Sequence, residues 1–281
     1  MNLLNVSIVG KPNVGKSTFF NKIFNEEISK TGDQPGTTKE VISNKLLINN
    51  YNIIFHDTGG LKKKSKSKET EQAFITKECL SAINKSSIII FMMNANDDFT
   101  KNDKQICRMI LNKLKTLIVI INKSDLLNKD ELKIKTKYFN YYFENLYSDI
   151  LIKPYFFSSI GKSGVNEFVK TIIKLDMISK NFISNQKLNV FLEKTNSSHR
   201  APQKGLFRPK IKFLKHVNLN PFILKAFGSR LKGINKDYKN YFLKQFLKNF
   251  SIFNKVVIIK FINNDNPFKT TQLSSNIAKQ R

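Results

Sequence analysis

The sequence predicts an α/β fold: a doubly wound, mainly parallel sheet over residues 1–180, followed by a small α+β domain over residues 181–268. Three observations carry this prediction. Short apolar runs alternate with stretches of helical periodicity through the first part of the chain, the pattern of strand and helix units that build a parallel sheet with ligand loops at the strands' carboxyl ends. Gly10-Lys11-Pro12-Asn13-Val14-Gly15-Lys16-Ser17-Thr18 has the phosphate-loop pattern and lies between the first such run and the first such stretch. Beyond residue 180 the order becomes α-β-β-α-β, thick with Lys and Arg.

Taken in order, Leu4 to Val9 reads as a buried strand and Thr18 to Phe24 as the first turns of an amphipathic helix. Between them Gly10 and Gly15 let the backbone turn tightly. The N–H groups from Asn13 and Val14 to Thr18 can then meet phosphates, and the helix N-terminus adds partial positive charge. Lys16 is expected to reach the β and γ phosphates, and Ser17 a magnesium ion. Glu26 to Glu40 reads as a polar connection carrying Gln34-Pro35-Gly36-Thr37-Thr38. A Thr there can close over the γ phosphate and complete the magnesium shell.

Val41 to Ile48 and Tyr51 to Phe55 read as a strand pair joined through Asn49-Asn50. Asp57-Thr58-Gly59-Gly60 follows. The spacing places Asp57 near the magnesium and Gly60 where its N–H can meet the γ phosphate with no side chain in the way. His56 reads as a packing or surface residue. Leu61 stands where Ras-type enzymes carry a water-positioning glutamine, and Lys62 to Lys68 is a basic run suited to nucleotide-gated contact with RNA phosphates or to a solvated loop.

Glu69 to Lys85 and Asp103 to Leu114 have helical spacing, while Ser86 to Ala95 and Lys115 to Ile121 read as buried strands. The second strand ends in Asn122-Lys123-Ser124-Asp125. Asp125 can accept from guanine N1–H and N2–H₂, a pair adenine does not offer. An adenine ligand would leave that carboxylate desolvated at a cost of about 1–3 kcal/mol, so GTP or GDP is the expected ligand. Asn122 is expected to tie this loop to the phosphate loop, and the Lys123 stem to cover the base. Pro154 to Phe157 leads into Ser158-Ser159-Ile160-Gly161-Lys162, whose N–H groups can meet guanine O6, and Gly164 to Leu175 closes the domain as a helix.

In the remainder, Lys187 to Lys194 reads as a short helix, Asn196 to Pro209 as a polar loop, Ile211 to Val217 and Phe222 to Phe227 as strands, Tyr238 to Phe250 as a helix and Val256 to Ile262 as a strand. Tyr241, Phe242, Phe246 and Phe250 form a core stripe on that helix rather than a base-stacking face. Residues 269–281 are a polar basic tail, expected to be mobile.

Composition bounds the function. The net charge is +27, from 48 Lys and Arg against 21 Asp and Glu, and a polyanion is the natural partner of such a field. RNA leads; the alternative source of part of the charge is a biased genome, since the chain is rich in Lys, Asn, Ile and Phe, whose codons are A and T rich. The longest apolar run, Ile88 to Met93, is too short to span a bilayer. With no secretory signal opening the sequence, no membrane partner and a cytoplasmic location are expected. Cys79 and Cys107 fall on predicted helices and read as reduced core thiols.

Asn13 within the phosphate loop, Pro35-Gly36-Thr37-Thr38, Asp57-Thr58-Gly59-Gly60-Leu61-Lys62-Lys63-Lys64 and Asn122-Lys123-Ser124-Asp125 together resemble the second G domain of the Der (EngA) family of bacterial ribosome-assembly GTPases. Lys187-Leu188-Asn189, Arg208-Pro209-Lys210-Ile211-Lys212, Tyr238-Lys239-Asn240-Tyr241-Phe242 and Asn266-Pro267-Phe268 resemble the KH-like domain that follows it. The resemblance covers nearly the whole chain. It implies a GTPase that binds ribosomal RNA and acts in maturation of the large ribosomal subunit, as a monomer. It favours Thr38 over Thr37 as the switch residue, with Ser17, Thr38 and Asp57 around Mg²⁺. It also implies that Asn13 helps hold K⁺ against the phosphates, beside the roles of Lys16, Thr38 and Gly60 in hydrolysis.

Two departures stand out. The family has tandem G domains where one is visible here, and Asp57-Thr58-Gly59-Gly60 replaces Asp-Thr-Ala-Gly. An Era-like small-subunit GTPase is the alternative within the class, but Gly228 and Gly233 have four residues between them rather than the two of a KH RNA clamp. From another class comes a non-hydrolysing RNA-binding structural protein.

Overall fold

The computed structural model describes residues 2–31, 43–48, 50–57, 71–158, 164–203 and 207–263. The chain divides into two compact units, one made of residues up to Lys180 together with Ser251–Val256, the other of Asn181–Phe250 and the chain from Val257. In the first unit β1 (Asn2–Gly10), α1 (Lys16–Thr31), β2 (Ser43–Ile48), β3 (Tyr51–Asp57), α2 (Glu71–Lys85) and β4 (Ile88–Asn94) come first. Then follow α3 (Lys101–Asn112), β5 (Thr116–Asn122), α4 (Lys129–Leu146), β6 (Tyr155–Phe156) and α5 (Val165–Lys180). The sheet order is β2-β3-β1-β4-β5-β6. β2 runs antiparallel to β3, and the other pairs are parallel.

Parallel strands joined by helical crossovers are covered on both faces, so the central ones should be apolar throughout. Accordingly every residue of β5 is buried, as is all of β4 except Asn94. Alternate residues serve opposite layers. Val6 and Ile8 of β1, Ile90 and Met92 of β4 and Ile118 and Ile120 of β5 join Phe19 and Ile23 of α1 and Phe168 and Ile172 of α5 in one cluster. Each such side chain contributes about 1.5–3 kcal/mol on burial. Phe19 meets Phe157 and Phe168 edge-on at centroid distances of 4.9 and 5.3 Å, geometry that adds to the area term. On the opposite side, α2 contacts β1 and α3 contacts β5, and both cysteines lie there, buried and free. Burial, reinforced by Glu78, pushes the Cys79 thiol up to about 12, which leaves it protonated and unreactive at neutral pH.

Two elements differ from the sequence reading. α1 continues through Thr31, into the stretch read as a polar connection. The helix α4 was not anticipated, although its start is written in the sequence: the Asn128 side chain accepts from the Asp130 and Glu131 N–H groups while Glu131 accepts from the Asn128 N–H, a reciprocal cap. Ser251–Val256 is fixed to the first unit by Asn254. Its N–H donates to Leu151 O at 2.7 Å, its carbonyl accepts from Leu117 N at 2.9 Å and its Oδ1 from Lys153 N at 2.8 Å.

The second unit contains α6 (Asn185–Ser198), β7 (Lys210–Asn218), β8 (Phe222–Ser229), α7 (Lys236–Asn249) and β9 (Val257–Asn263), the expected α-β-β-α-β order with α6 longer at both ends. β8 lies in the middle of the sheet, antiparallel to β7 and parallel to β9. Phe191 of α6 packs on Phe242 and Phe246 of α7 at 5.5 and 5.4 Å, and Phe246 reaches Phe222 of β8. The α7 aromatic stripe is core, with Phe242 and Phe246 fully buried and Tyr241 and Phe250 half-buried at its margins.

Candidate nucleotide site

The parallel register sets Gly10, Asp57, Asn94 and Asn122 at one edge of the sheet, through the pairs Ile8 with Asp57, Gly10 with Met92 and Asn94 with Asn122. Between β1 and α1 the backbone turns through three left-handed positions, Gly10 (φ 155°), Asn13 (φ 62°) and Gly15 (φ 96°). The loop folds over the N-terminus of α1, whose first N–H groups have no partner within the helix. Pro12, Asn13, Gly15, Lys16, Ser17 and Thr18 line a cleft of about 430 Å³ with Lys123 and Glu78. Asn13, Ser17 and Thr18 are exposed at its rim and Lys16 is buried.

Lys16 Nζ donates to the Gly10 carbonyl and, at 3.1 Å, to that of Lys11, so the ammonium is held inside its own loop. Behind the loop the fully buried Asn122 donates from Nδ2 to Val14 O at 2.8 Å. Asn122 ends β5, and the chain then reverses at Lys123 (φ 60°) into a short turn at Ser124–Leu126 that leaves Asp125 exposed. Ser124 N–H donates to Phe157 O and Phe157 N–H to Ile121 O, which fixes this turn to the segment carrying Ser158. Lys22 of α1 donates to Ser158 O at 2.8 Å. Gly10, Asn13, Val14, Gly15, Lys16, Ser17, Thr18, Asn122, Lys123, Asp125 and Ser158 therefore share one end of the sheet. The Asp57 backbone ends β3 at that edge. Thr38, Gly60 and Ser159 lie outside the described residues, as do Pro35–Thr37, Leu61, the Lys62 to Lys68 run and the 269–281 tail.

Two acidic residues escaped the sequence reading. Asp103, buried at the start of α3, accepts from Thr100 N at 2.9 Å and Thr100 Oγ1 at 2.6 Å, and pairs with Lys11 Nζ at 3.3 Å. This bond ties the phosphate loop to the helix beside it. Glu78 of α2 is 1% exposed, with Oε2 3.8 Å from Lys16 Nζ. Its signal in the sequence is a carboxylate on the face carrying Ile75, Cys79 and Ala82, spaced three and four residues apart. Buried carboxylates call for a charge partner, and here that partner is the phosphate-loop lysine. His56 is a packing residue, its Nε2 3.0 Å from Asn5 Oδ1; burial, then the nearby Lys85 charge, lowers its pKa.

Among the described residues no cluster of His, Cys, Asp or Glu could hold a metal ion, and no helix is long and apolar enough to cross a membrane.

Comparison with known proteins agrees with this geometry. Residues 5–123 match the family described as 50S ribosome-binding GTPase, and residues 183–261 the KH-domain-like family of EngA bacterial GTPase enzymes, C-terminal. Among curated relatives, the GTPase Der of Hamiltonella defensa is 29% identical over 99% of this chain and 56% of its own length. That of Buchnera aphidicola is 32% identical over 94% and 58%. The chain thus spans little more than half the length of these relatives. A crystal structure of Era with MgGDPNP and a fragment of 16S ribosomal RNA is 21% identical, covers 96% of this chain and 95% of its own, and has a TM-score of 0.45, a likeness too loose to weigh. The chain therefore carries a stretch that matches a GTPase family followed by one that matches the EngA-type KH-like domain, and the curated proteins it is similar to here are Der GTPases.

Proposed function

We propose that the protein hydrolyses GTP at this cleft and uses the nucleotide state to change its contact with ribosomal RNA during assembly of the large ribosomal subunit. The observation that supports the reading most is the joining of the two nucleotide motifs: Asn122 holds Val14 while Asp125 follows on the next turn. A base held at Asp125 and phosphates held at Lys16 then fall on one ligand. Residues 1–180 form the nucleotide domain in this reading, residues 181–268 the RNA-binding domain and 269–281 a basic extension. The protein acts as a cytoplasmic monomer.

The exposed Ser17 hydroxyl at the start of α1 suits Mg²⁺, with Asp57 and Thr38 completing the set in this reading. The ion would neutralise charge developing on the phosphoryl oxygens. The chain's own residues do the rest. Lys16 binds the β and γ phosphates, Gly60 N–H orients the γ phosphate, and Asp125 and Ser158–Ser159 select guanine. Asn13, exposed and in a left-handed conformation, brings K⁺ to the phosphates in place of an arginine in this reading.

The Lys62 to Lys68 run begins two residues after Gly60, so in this reading the γ phosphate governs how many RNA phosphates the protein neutralises. Binding to purified large-subunit particles at several salt concentrations tests this. The slope of log affinity against log salt is expected to be steeper with a non-hydrolysable GTP analogue than with GDP, by about 0.9 for each extra duplex phosphate neutralised. Equal affinity and equal slope in the two states would remove RNA contact from the nucleotide cycle.

A further inference from the structure

The sheet of the second unit has a helix-covered face and an outward face, and the outward face carries a pattern the fold does not need. Lys215 of β7 lies opposite Lys225 of β8, which lies opposite Lys260 of β9. Lys215 and Lys260 are exposed and Lys225 is half-buried. Like charges directly opposite one another on adjacent strands are destabilising, and the strands are only about 4.8 Å apart. None of the three has an ion-pair partner among the described residues. Between residues 183 and 261 the only acidic residues are Glu193 and Asp237, and both belong to the helices, α6 and α7.

One step along the strands the same face presents rings. Phe213 lies opposite Phe227, which lies opposite Ile262. The two phenyl rings are stacked, with centroids 4.6 Å apart and planes at 14°, and Phe213 is 41% exposed. A β-bulge between Ile211 and Phe213 sets this register: it puts Phe213 and Lys215 on the outward face while Ile211 and Leu214 stay in the core.

We propose that this face is a platform for single-stranded RNA, with a base extending the Phe213–Phe227 stack and the flanking phosphates neutralised by Lys215, Lys225 and Lys260. The inference deepens the RNA-binding reading above and rests on it. Charge complementarity selects a polyanion, since the lysine row carries no local compensation. The stacked rings select bases that are free to splay. A duplex offers its phosphates but keeps the faces of its bases within its own stack, so it would leave Phe213 unused.

The test uses the full chain, a labelled unstructured 12-nucleotide RNA and an RNA duplex of the same length. Phe213→Leu keeps an apolar side chain and removes the ring. It is expected to weaken single-strand binding by about tenfold, in keeping with the cost of losing one base stack, and to leave duplex binding and the salt slope unchanged. The triple change of Lys215, Lys225 and Lys260 to Gln is expected to lower the slope on the single strand by about 2, at about 0.7 per phosphate. Because it relieves like-charge opposition, Lys225→Gln is also expected to raise the unfolding temperature. A fall would make the row structural and overturn the assignment. Unchanged single-strand binding by both the Phe213→Leu and triple-Gln proteins overturns the platform while leaving RNA binding elsewhere intact. Failure of the wild-type chain to bind either RNA overturns the platform and the RNA reading together.

Discussion

Replacing Lys16 with Ala is expected to weaken binding of GDP and GTP by roughly 100-fold, and Glu78→Gln to strengthen it by roughly tenfold. Lys16 is the buried cation of the cleft, and truncating one partner of a buried charged hydrogen bond costs about 2–5 kcal/mol. Glu78 acts with the opposite sign. Its carboxylate lies 3.8 Å from the same ammonium, so a phosphate arriving at Lys16 meets a negative charge. At an effective dielectric of about 20, like charges 4 Å apart repel by about 4 kcal/mol, and the tenfold change expected here is roughly a third of that. Glutamine keeps the shape and removes the charge, while the Gly10 and Lys11 carbonyls still hold Lys16. Titration with a fluorescent GDP measures both variants, and thermal unfolding without nucleotide separates a binding defect from a folding one. Wild-type affinity in Lys16→Ala would show that this lysine does not hold the phosphates. Weaker binding in Glu78→Gln would make the carboxylate part of the bound site rather than a competitor for it.

Gly10→Ala is expected to cost the first unit about 3 kcal/mol or more and to abolish nucleotide binding with it. A Cβ on Gly10 would stand 2.2 Å from the main-chain oxygen of Met92 on the neighbouring strand, at φ +155°, where neither backbone can yield cheaply. Removing the clash moves either β1 away from β4 or the phosphate loop away from its lysine. Urea unfolding of the nucleotide-free chain measures the loss. Gly228→Ala, with its Cβ 2.0 Å from Lys210 O in the second unit, serves as a destabilised control that leaves the nucleotide site in place. A Gly10→Ala protein as stable as wild type would contradict the close approach of β1 and β4.

What the sequence makes legible is what depends on local pattern. The apolar runs of β1, β4 and β5 specify buried parallel strands. The phosphate loop and Asn122-Lys123-Ser124-Asp125 each end a strand, the second downstream of the first, and it is this context rather than either motif alone that points to a phosphate site and a guanine site. Contacts between distant segments are harder to read. Asp103 looks like an ordinary first-turn acid, and Glu78 is marked only as a carboxylate on an apolar helix face, until folding brings α2 and α3 against the phosphate loop. Asn254 sits in a polar stretch near the last strand, and nothing local marks its three bonds to Leu117, Leu151 and Lys153. The face of the lysine row depends on the bulge at Ile211–Phe213, because strict alternation would put Ile211 on the same side as Phe213 and Lys215, whereas Ile211 is buried and Phe213 exposed. The helix α4 is a different case: its reciprocal cap at Asn128 and Glu131 was available from residue types alone.

Displacement of fluorescent GDP from the full chain in the presence of magnesium tests whether a guanine nucleotide is held between Lys16 and Asp125. GTP is expected to compete with an affinity close to that of GDP. ATP is expected to be weaker by at least about tenfold, the equivalent of roughly 1.4 kcal/mol for leaving the Asp125 carboxylate without its two donors. Displacement by ATP at the same concentrations as GTP would contradict the assignment of the site.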